Sequence, residues 1–338
     1  MTRPAGPVSD PTSIFRYRDG LSAVDLLITA ITHLDLFSVL SEESLTLSEI
    51  CERLDLDARA TDVMLTLLVA MDYLERLPGG KVGATLVAKE FLRSESPWSL
   101  IPYYASAKGR PGCEAMLETL RTGRTASWTA QDDEWSVKME DEAFARSFTG
   151  EMNCRGNYLG PKVAEAVDLS ARRHVLDIGG GSGIYAICMA AAYPGLRAAV
   201  YEKPPVDAIA RREMEARGLS DRVDTIAGDM FESIPEGSDV HLYSNVLHDW
   251  SESDCLDLLA RSRETIADGG LVVVHDAFID REKAGPIHVA EYSVVLMHFT
   301  QGKCYSVGEM EKMLLDTGFH DVEHRDVAVG RGVVTARA

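Results

Sequence analysis

From about residue 155 to its end, the chain alternates strand patterns with helix patterns, and this rhythm constrains the possible folds more than any other feature. Apolar runs such as HVLDI (174–178), RAAVYE (197–202) and LVVVHDA (271–277) are separated by longer stretches with helical periodicity. Alternation of this kind predicts an open, mostly parallel sheet covered by helices. The second half of the chain is therefore predicted to be an α/β domain.

The end of the chain departs from this rhythm. Its sequence, HDVEHRDVAVGRGVVTARA, holds two strand patterns joined across Gly330, Arg331 and Gly332, which predicts a hairpin. An antiparallel hairpin on the edge of a parallel sheet is unlike a dinucleotide-binding domain, which is built from two repeated halves.

The first half of the chain, from residue 21 to about residue 150, is predicted to be mainly helical. Apolar residues over 21–40 follow helical spacing and cover most of the circumference, which predicts one helix packed against more than one neighbour. Ser48 is placed to cap the short helix that follows. A helix, a turn and a second helix then lead into a ribbon that bends at Pro78-Gly79-Gly80, which is the outline of a winged helix.

Charge argues against DNA binding by this outline. Nine acidic and three basic residues lie between Glu42 and Arg76, whereas a recognition helix presents basic and amide side chains to the groove. The formal charge of −19 also disfavours nucleic acid and an anionic membrane surface as partners. Burial in a subunit interface fits these helices better. Asp25, His33 and Asp35 interrupt the segment 21–40, which argues against a membrane span.

The cysteine pattern indicates a reducing compartment. The six cysteines are scattered and form no CxxC pair, so we expect reduced thiols in the cytoplasm, without a disulfide framework or a bound metal. The opening segment, MTRPAGPVSDPTS, lacks the apolar core of a signal peptide.

A glycine-rich segment, DIGGGSG (177–183), follows the first strand pattern of the α/β half. Residues 181–186 formally satisfy the pattern GxGxxG/A, which by itself is weak evidence. Glycines let a ligand approach the backbone, and the N-terminus of the next helix favours negative charge. A phosphate, an amino-acid carboxylate and a plain strand-to-helix turn all remain possible readings.

Carboxylates at three strand ends narrow the ligand class. Asp177, Glu202 and Asp229 each end a predicted strand, and ligands of open α/β sheets bind outside those ends. Glu202 is suited to accept hydrogen bonds from both hydroxyls of a ribose. So many carboxylates would repel a pyrophosphate, yet they suit a cationic ligand that has no phosphate. We therefore predict S-adenosylmethionine as the cofactor.

At this point the chain resembles the S-adenosylmethionine-dependent O-methyltransferases of the caffeic acid and hydroxyindole type. The resemblance covers nearly the whole chain and rests on five ordered motifs: VLDIGGGSG, YEKPPV, GDMF, LHDW and GKCYSVGEMEKMLLDTGF. It implies a Rossmann-like class I methyltransferase domain at 156–338, whose seven-stranded, mostly parallel sheet ends in the hairpin. It further implies a flexible segment at 1–12, a winged-helix dimerisation domain at 13–100 and a helical linker at 101–155 that contributes to the acceptor pocket. Such enzymes are homodimers.

The family's cofactor contacts can be carried over by position. Gly179 would contact the methionine end, Glu202 the ribose, and Asp229 with Met230 the adenine. The family often has Lys where this chain has Ser244, so that contact is weakened or replaced. The full set of expected cofactor-binding residues is Asp177, Gly179, Gly181, Glu202, Lys203, Asp229, Met230, Phe231 and Ser244.

The resemblance also implies the catalytic residues. His248 matches the general base, and Asp276 matches one of the two carboxylates that orient it. Cys304 stands where the family has the second, a Glu. The residues expected to line the acceptor pocket are Met152, Asp249, Val295 and Phe299. Arg155 could pair with a carboxylated acceptor, although an exposed arginine would look the same in sequence.

These observations predict a homodimeric enzyme that methylates a hydroxyl of a small aromatic or polyketide-like molecule. The altered GKCYS segment keeps C-methylation, N-methylation and a non-methylating use of the cofactor open as alternatives. A nicotinamide dehydrogenase would need a phosphate site, and a winged-helix regulator would need to bind DNA.

Overall fold

The computed structural model describes residue 7 and residues 9–126 and 139–338. Most of the segment 1–12, which is expected to be flexible, lies outside the described residues, as does part of the expected linker (127–138). Two compact units are present. The helical unit comprises Pro11–Ala126 and Ile279–Ser306, and the sheet unit comprises the described residues of Ser127–Phe278 together with Val307–Ala338.

The helical unit consists of short helices and one small antiparallel sheet. Its elements are α1 (Thr12–Asp19), α2 (Ala23–Thr32), α3 (Leu36–Glu42), β1 (Leu45–Thr46), α4 (Leu47–Leu54), α5 (Ala58–Ala70), β2 (Leu74–Leu77), β3 (Lys81–Ala84), α6 (Leu86–Phe91), α7 (Ile101–Ala105), α8 (Pro111–Thr122) and, later in the chain, α13 (Ile287–Phe299). The strand order is β1-β3-β2. A helix, a turn, a helix and a ribbon thus follow one another as the sequence indicates.

Two local expectations in this unit are wrong. The segment 21–40 is not one helix: α2 and α3 are separate, and Asp35 between them adopts a left-handed conformation (φ 48°) that a continuous helix does not allow. Ser48 lies inside α4 and does not cap it. Thr46 is the cap, because its side chain accepts from the Glu49 N–H while the Glu49 side chain accepts from the Thr46 N–H.

The later segment 279–306 is bound to the N-terminal helices by charged groups. Arg16 on α1 donates two hydrogen bonds to Glu291 on α13. Lys283 and Lys303 both pair with the half-buried Asp62 on α5. Desolvation opposes ionisation of this carboxyl, but the two lysine charges outweigh it and lower the pKa of Asp62. The guanidinium of Arg59 donates to the carbonyls of Gly123, Met297, Thr300 and Gly302. Arg59 and Asp62 of α5 are therefore engaged in contacts within the helical unit.

The sheet unit has the predicted α/β architecture. Its elements are α9 (Glu142–Ala166), β4 (His174–Ile178), α10 (Ile184–Ala192), β5 (Arg197–Glu202), α11 (Val206–Arg217), β6 (Val223–Ala227), β7 (Val240–Ser244), α12 (Glu252–Thr265), β8 (Leu271–Ala277), α14 (Val307–Asp316), β9 (His320–Ala328) and β10 (Arg331–Arg337). The seven strands run in the order β6-β5-β4-β7-β8-β10-β9. The first five are parallel, and β10 is antiparallel to both of its neighbours.

This topology brings five strand ends to one edge. Strands β4 and β7 lie at the centre of the parallel part, and their apolar side chains are buried on both faces, as parallel strands require.

The terminal hairpin turns at Val329 and Gly330, so the prediction of a mostly parallel sheet with a closing hairpin is confirmed.

Among the described residues, no single helix is long and apolar enough to span a membrane. Helices α2 and α3 meet the length and composition test only as a pair, and they are bent by 61° at their junction.

Candidate active site

The loop after β4 has the backbone geometry of a ligand cradle. Gly179, Gly181 and Gly183 all have positive φ angles (65°, 58° and 73°), a conformation that side chains disfavour. A Cβ atom on Gly179 would come within 3.2 Å of Val246 and within 3.6 Å of the Met230 sulfur. Because Gly179 has no side chain, the loop can lie close to the segments that follow β6 and β7.

Asp177 lies beneath the loop. It is fully buried, and a Cβ atom on Gly180 would come within 2.5 Å of its carboxyl carbon. Burial raises the pKa of Asp177 to about 7, opposed by the backbone N–H of Ala186 and assisted by the nearby Glu202. This carboxyl group thus lies directly beneath the loop.

Glu202, at the end of β5, is hydrogen-bonded to the same loop. Its Oε2 accepts from the Gly181 N–H (3.0 Å), and its Oε1 accepts from the Lys203 N–H (2.9 Å). Burial raises the pKa of Glu202, although both backbone N–H groups oppose the shift. Two lone pairs are engaged in this way, which leaves others for a ligand.

Asp229 follows β6 and is hydrogen-bonded to two other residues that the sequence predicts to bind the cofactor, Lys203 and Phe231. Its Oδ1 accepts from the Phe231 N–H (2.9 Å), and its Oδ2 pairs with Lys203 Nζ (3.0 Å). Burial opposes ionisation, but these donors prevail and lower the pKa of Asp229. The Phe231 ring packs edge-on against Trp250 with centroids 4.6 Å apart, so an aromatic pair stands beside the carboxylate.

His248 and Asp276 form a buried pair. Nδ1 of His248 is hydrogen-bonded to Oδ1 of Asp276, and the His248 side chain is only 4% exposed. Asp249 lies on the other side of the ring, with its Oδ1 3.6 Å from Nε2. Burial disfavours the imidazolium, but the charges of Asp276 and Asp249 outweigh it and raise the pKa of His248.

His275, the neighbour of Asp276, points to a different set of groups. Its Nδ1 is hydrogen-bonded to the Ser244 hydroxyl (2.7 Å), and its ring packs against Tyr185 with centroids 4.9 Å apart. Burial lowers the pKa of His275 to about 3, so this ring is neutral at physiological pH. The alternation of side chains along β8 thus separates His275 from Asp276.

Helix α9 is attached to the glycine loop through Asn153, whose Oδ1 accepts from the Ser182 hydroxyl (2.6 Å). Gly156, one turn later, packs so closely on Ile184 that a Cβ atom would be 2.4 Å from it. Met152 and Arg155 lie on this stretch, and Nη2 of Arg155 is 3.4 Å from the Met152 sulfur. The pKa values of His248 and Asp249 are both raised, and the positive charge of Arg155 offsets a small part of each shift.

Three residues singled out in the sequence lie in the helical unit. Val295 and Phe299 are half-buried and one turn apart on α13. Cys304 is buried, and its N–H donates to the Ser293 hydroxyl (3.1 Å). His298, on the same helix, is hydrogen-bonded through Nδ1 to the Thr119 hydroxyl (3.0 Å).

The structure thus brings the singled-out residues of the strands and of the loops after them to one sheet edge, while Met152 and Arg155 lie on α9. Sequence reasoning missed Asn245, Tyr185, Asn153 and Ser182, which are bonded around the glycine loop and the end of β7. The signal for Asn245 was its place in SNVLHDW, directly after a strand. Within the described part of the chain, no three or more His, Cys, Asp or Glu side chains cluster so that they could hold a metal ion.

The chain is similar to known O-methyltransferases over most of its length. A family model described as an O-methyltransferase domain matches residues 118–320. The 3-hydroxy-5-methyl-1-naphthoate 3-O-methyltransferase of Streptomyces sahachiroi is 30% identical over 92% of this chain and 90% of its own. Acetylserotonin O-methyltransferase of Bos taurus is 28% identical over 95% and 96%. A solved O-methyltransferase family 2 protein from Planctomyces limnophilus, in complex with apigenin, superposes with a TM-score of 0.88 at 30% identity, covering 98% of this chain and 97% of that one.

Proposed function

The chain belongs to the O-methyltransferase family and uses S-adenosylmethionine, and from this premise we propose that it methylates a hydroxyl group of a small aromatic or polyketide-like molecule with His248 as the general base. The observation that carries the proposal is the buried pair of His248 and Asp276. It stands at the same sheet edge as the glycine loop and Glu202.

The residues present fit the cofactor. Gly179 and Gly181 both adopt positive φ angles that side chains disfavour, and a side chain on Gly179 would also meet Val246. Glu202 is anchored so that it retains free lone pairs for ribose hydroxyls. Asp229 with Met230 and Phe231 would hold the adenine. When bound, S-adenosylmethionine supplies a methyl group on a positively charged sulfur, and the buried carboxylates suit that charge. Lys203 keeps Asp229 in position.

The acceptor hydroxyl must lose its proton as the methyl group is transferred. A phenol with a pKa near 10 is about 0.1% ionised at pH 7, so an unassisted oxygen is a poor nucleophile. Asp276 binds Nδ1 of His248, which leaves Nε2 to take the phenolic proton. A positioned base contributes about 10²–10⁴-fold. In this proposal Asp276 serves without the second acid of the family, because Cys304 cannot act as a carboxylate.

The acceptor is proposed to be aromatic. The relative from Streptomyces sahachiroi is named for a hydroxynaphthoate, and the Planctomyces structure holds apigenin, a phenolic compound. In the sheet unit, we assign Met152 and Asp249 to the acceptor pocket. Arg155 is the guanidinium available for an acceptor that carries a carboxylate, since a guanidinium binds carboxylates in a bidentate manner.

We also propose that the helical unit contains a winged-helix dimerisation domain. Large apolar side chains are exposed on its N-terminal elements, including Ile14 (73%), Tyr17 (83%) and Leu21 (73%). Trp98 and Tyr103 are likewise exposed. Apolar surface of this extent is typical of a contact with a second copy.

The cytoplasm is the proposed location, as none of the six cysteines forms a disulfide.

One observation supports a second candidate. Cys304 stands where the family has a second carboxylate, so His248 would be a weaker base than is usual in the family. Methyl transfer to carbon or nitrogen would depend less on such a base. Family membership argues against the dehydrogenase and the DNA-binding regulator.

The experiment that tests the proposal uses methyl-labelled S-adenosylmethionine with a panel of phenols, hydroxyaryl carboxylates and aromatic amines. Label on oxygen, identified by mass spectrometry, supports the proposal, and label on nitrogen or carbon favours the second candidate. Cofactor binding without transfer to any member would contradict both within the chemical classes tested.

A further inference from the structure

Asn245 lies at this site, but it is neither one of the predicted cofactor-binding residues nor part of the pair formed by His248 and Asp276. It follows the last residue of β7 and adopts a left-handed conformation (φ 55°), which Asn tolerates better than most residues. Its N–H donates to the carbonyl of His275 on β8 (2.8 Å). The backbone is therefore turned at this residue, three positions before His248.

The carboxamide of Asn245 is held on one side only. Its Nδ2 donates to the hydroxyl of Tyr185 (3.3 Å) and to that of Ser244 (3.3 Å). Ser244 is in turn hydrogen-bonded to His275, against which the Tyr185 ring packs. The orientation of the carboxamide is thus determined by hydroxyl groups from β7 and from α10.

The other end of the carboxamide carries an unused acceptor. Oδ1 of Asn245 is buried and has no hydrogen-bond partner among the described residues. A buried acceptor without a donor is unfavourable, and such groups in folded proteins usually indicate a missing partner. The partner must be a donor that is not part of the described protein.

The position of Asn245 identifies that donor. Tyr185 is the second residue of α10, so the carboxamide lies at the N-terminus of the helix that follows the glycine loop. Val246, the next residue, is the one that a Cβ atom on Gly179 would meet. A helix N-terminus attracts a carboxylate. A ligand with an amino-acid group that binds there through its carboxylate also places its α-ammonium near the N-terminus of α10. An ammonium offers three donors and no acceptor.

We propose that Oδ1 of Asn245 accepts a hydrogen bond from the α-ammonium group of the methionine end of the cofactor. Asn245 is then a cofactor-binding residue that supplies a contact next to Ser244, where the family often has lysine. The proposal rests on the cofactor and on neither the acceptor nor the role of His248. Transfer of the ammonium from water to a site without this acceptor would leave one of its donors unpaired.

The test is calorimetric binding of two ligands to the full chain: S-adenosylhomocysteine, and 5′-methylthioadenosine, which lacks the amino-acid end. Gly and Asp both tolerate the left-handed backbone, so Asn245→Gly removes the acceptor and Asn245→Asp keeps one, without the strain that Ala would add. We expect Asn245→Gly to weaken S-adenosylhomocysteine binding by about 10- to 100-fold, as for a hydrogen bond to a charged group. The affinity for 5′-methylthioadenosine should not change, and Asn245→Asp should bind S-adenosylhomocysteine at least about as tightly as the wild type.

Asp321→Gly is the matched control, since Asp321 is an exposed residue with a similar φ angle (52°). Equal weakening of both ligands in Asn245→Gly would show a backbone role only and overturn the proposal, as would unchanged binding of S-adenosylhomocysteine. A wild-type enzyme that binds the cofactor but transfers no methyl group would contradict the proposed function and leave this result standing.

Discussion

Nδ1 of His248 is hydrogen-bonded to the carboxylate of Asp276, and both side chains are buried although 28 positions separate them in the chain. They meet because β7 and β8 are parallel neighbours that end at the same edge of the sheet. The pairing leaves Nε2 as the ring nitrogen that can take a proton, with Asp249 3.6 Å from it. The proposed role of His248 as the general base leads to definite predictions.

Replacing His248 by Ala should lower kcat by about 10²–10⁴-fold, because the acceptor hydroxyl loses its proton acceptor. Cofactor affinity should stay within about twofold, since no cofactor contact is assigned to this ring. The control is His320→Ala, which removes an exposed histidine of β9 and should change neither quantity. Steady-state kinetics together with calorimetry would check this, and full activity of His248→Ala would make the ring structural.

Replacing Asp276 by Asn should shift the pH dependence of kcat/KM. The base works when neutral, so activity is lost as pH falls through the pKa of His248. Asp276 raises that pKa, so its removal should move the acid limb to lower pH, while loss of orientation lowers the plateau. Asp249→Asn should shift the limb in the same direction with less effect on the plateau. An acid limb that moves to higher pH in Asp276→Asn would contradict the assignment.

Replacing Glu202 by Gln should weaken cofactor binding by about tenfold or more, because the amide offers fewer acceptors while it can still bind the Gly181 N–H. Burial raises the pKa of Glu202, so wild-type affinity should also decline as pH falls through that raised pKa. Calorimetric titration with S-adenosylhomocysteine over a pH series measures both effects. Undiminished affinity of the variant would exclude Glu202 from the ribose site.

Replacing Arg59 by Met should lower the free energy of unfolding by about 2–3 kcal/mol, because carbonyls of α13 and its following loop lose their common donor. Arg53→Met is the control: Arg53 is exposed and lies 3.7 Å from Glu43, so its loss should cost less than about 1 kcal/mol. Thermal unfolding followed by circular dichroism would compare the two. Equal midpoints for both variants would contradict a structural role for Arg59.

Replacing Tyr17 and Leu21 together by Asp should convert a dimer into monomers, because charges would then occupy an exposed apolar surface. Leu315→Asp is the control, since Leu315 is an exposed leucine (51%) of the sheet unit. Light scattering after size exclusion gives the mass of each species. A wild-type chain that is monomeric at micromolar concentration would refute the dimer.

Much of the fold and of the site could be predicted because it depends on short-range patterns. Strand–helix alternation predicted the mostly parallel sheet, and the two strand patterns around Gly330 predicted the hairpin. Where local signals competed, the prediction was wrong. Asp35 interrupts the apolar stretch 21–40, and Thr46, not Ser48, forms the capping box with Glu49.

By itself, then, the sequence determined the strand and helix pattern, the glycine loop and the residues at the strand ends, because each depends on neighbours within a few positions. The tertiary structure alone decided that Asp62 on α5 lies between Lys283 and Lys303, and that the Tyr185 hydroxyl binds Nδ2 of Asn245 and so orients its carboxamide. These contacts join groups that are distant in the chain. Their geometry is a property of packing, and no local pattern of residue types encodes which side chain a distant one will meet.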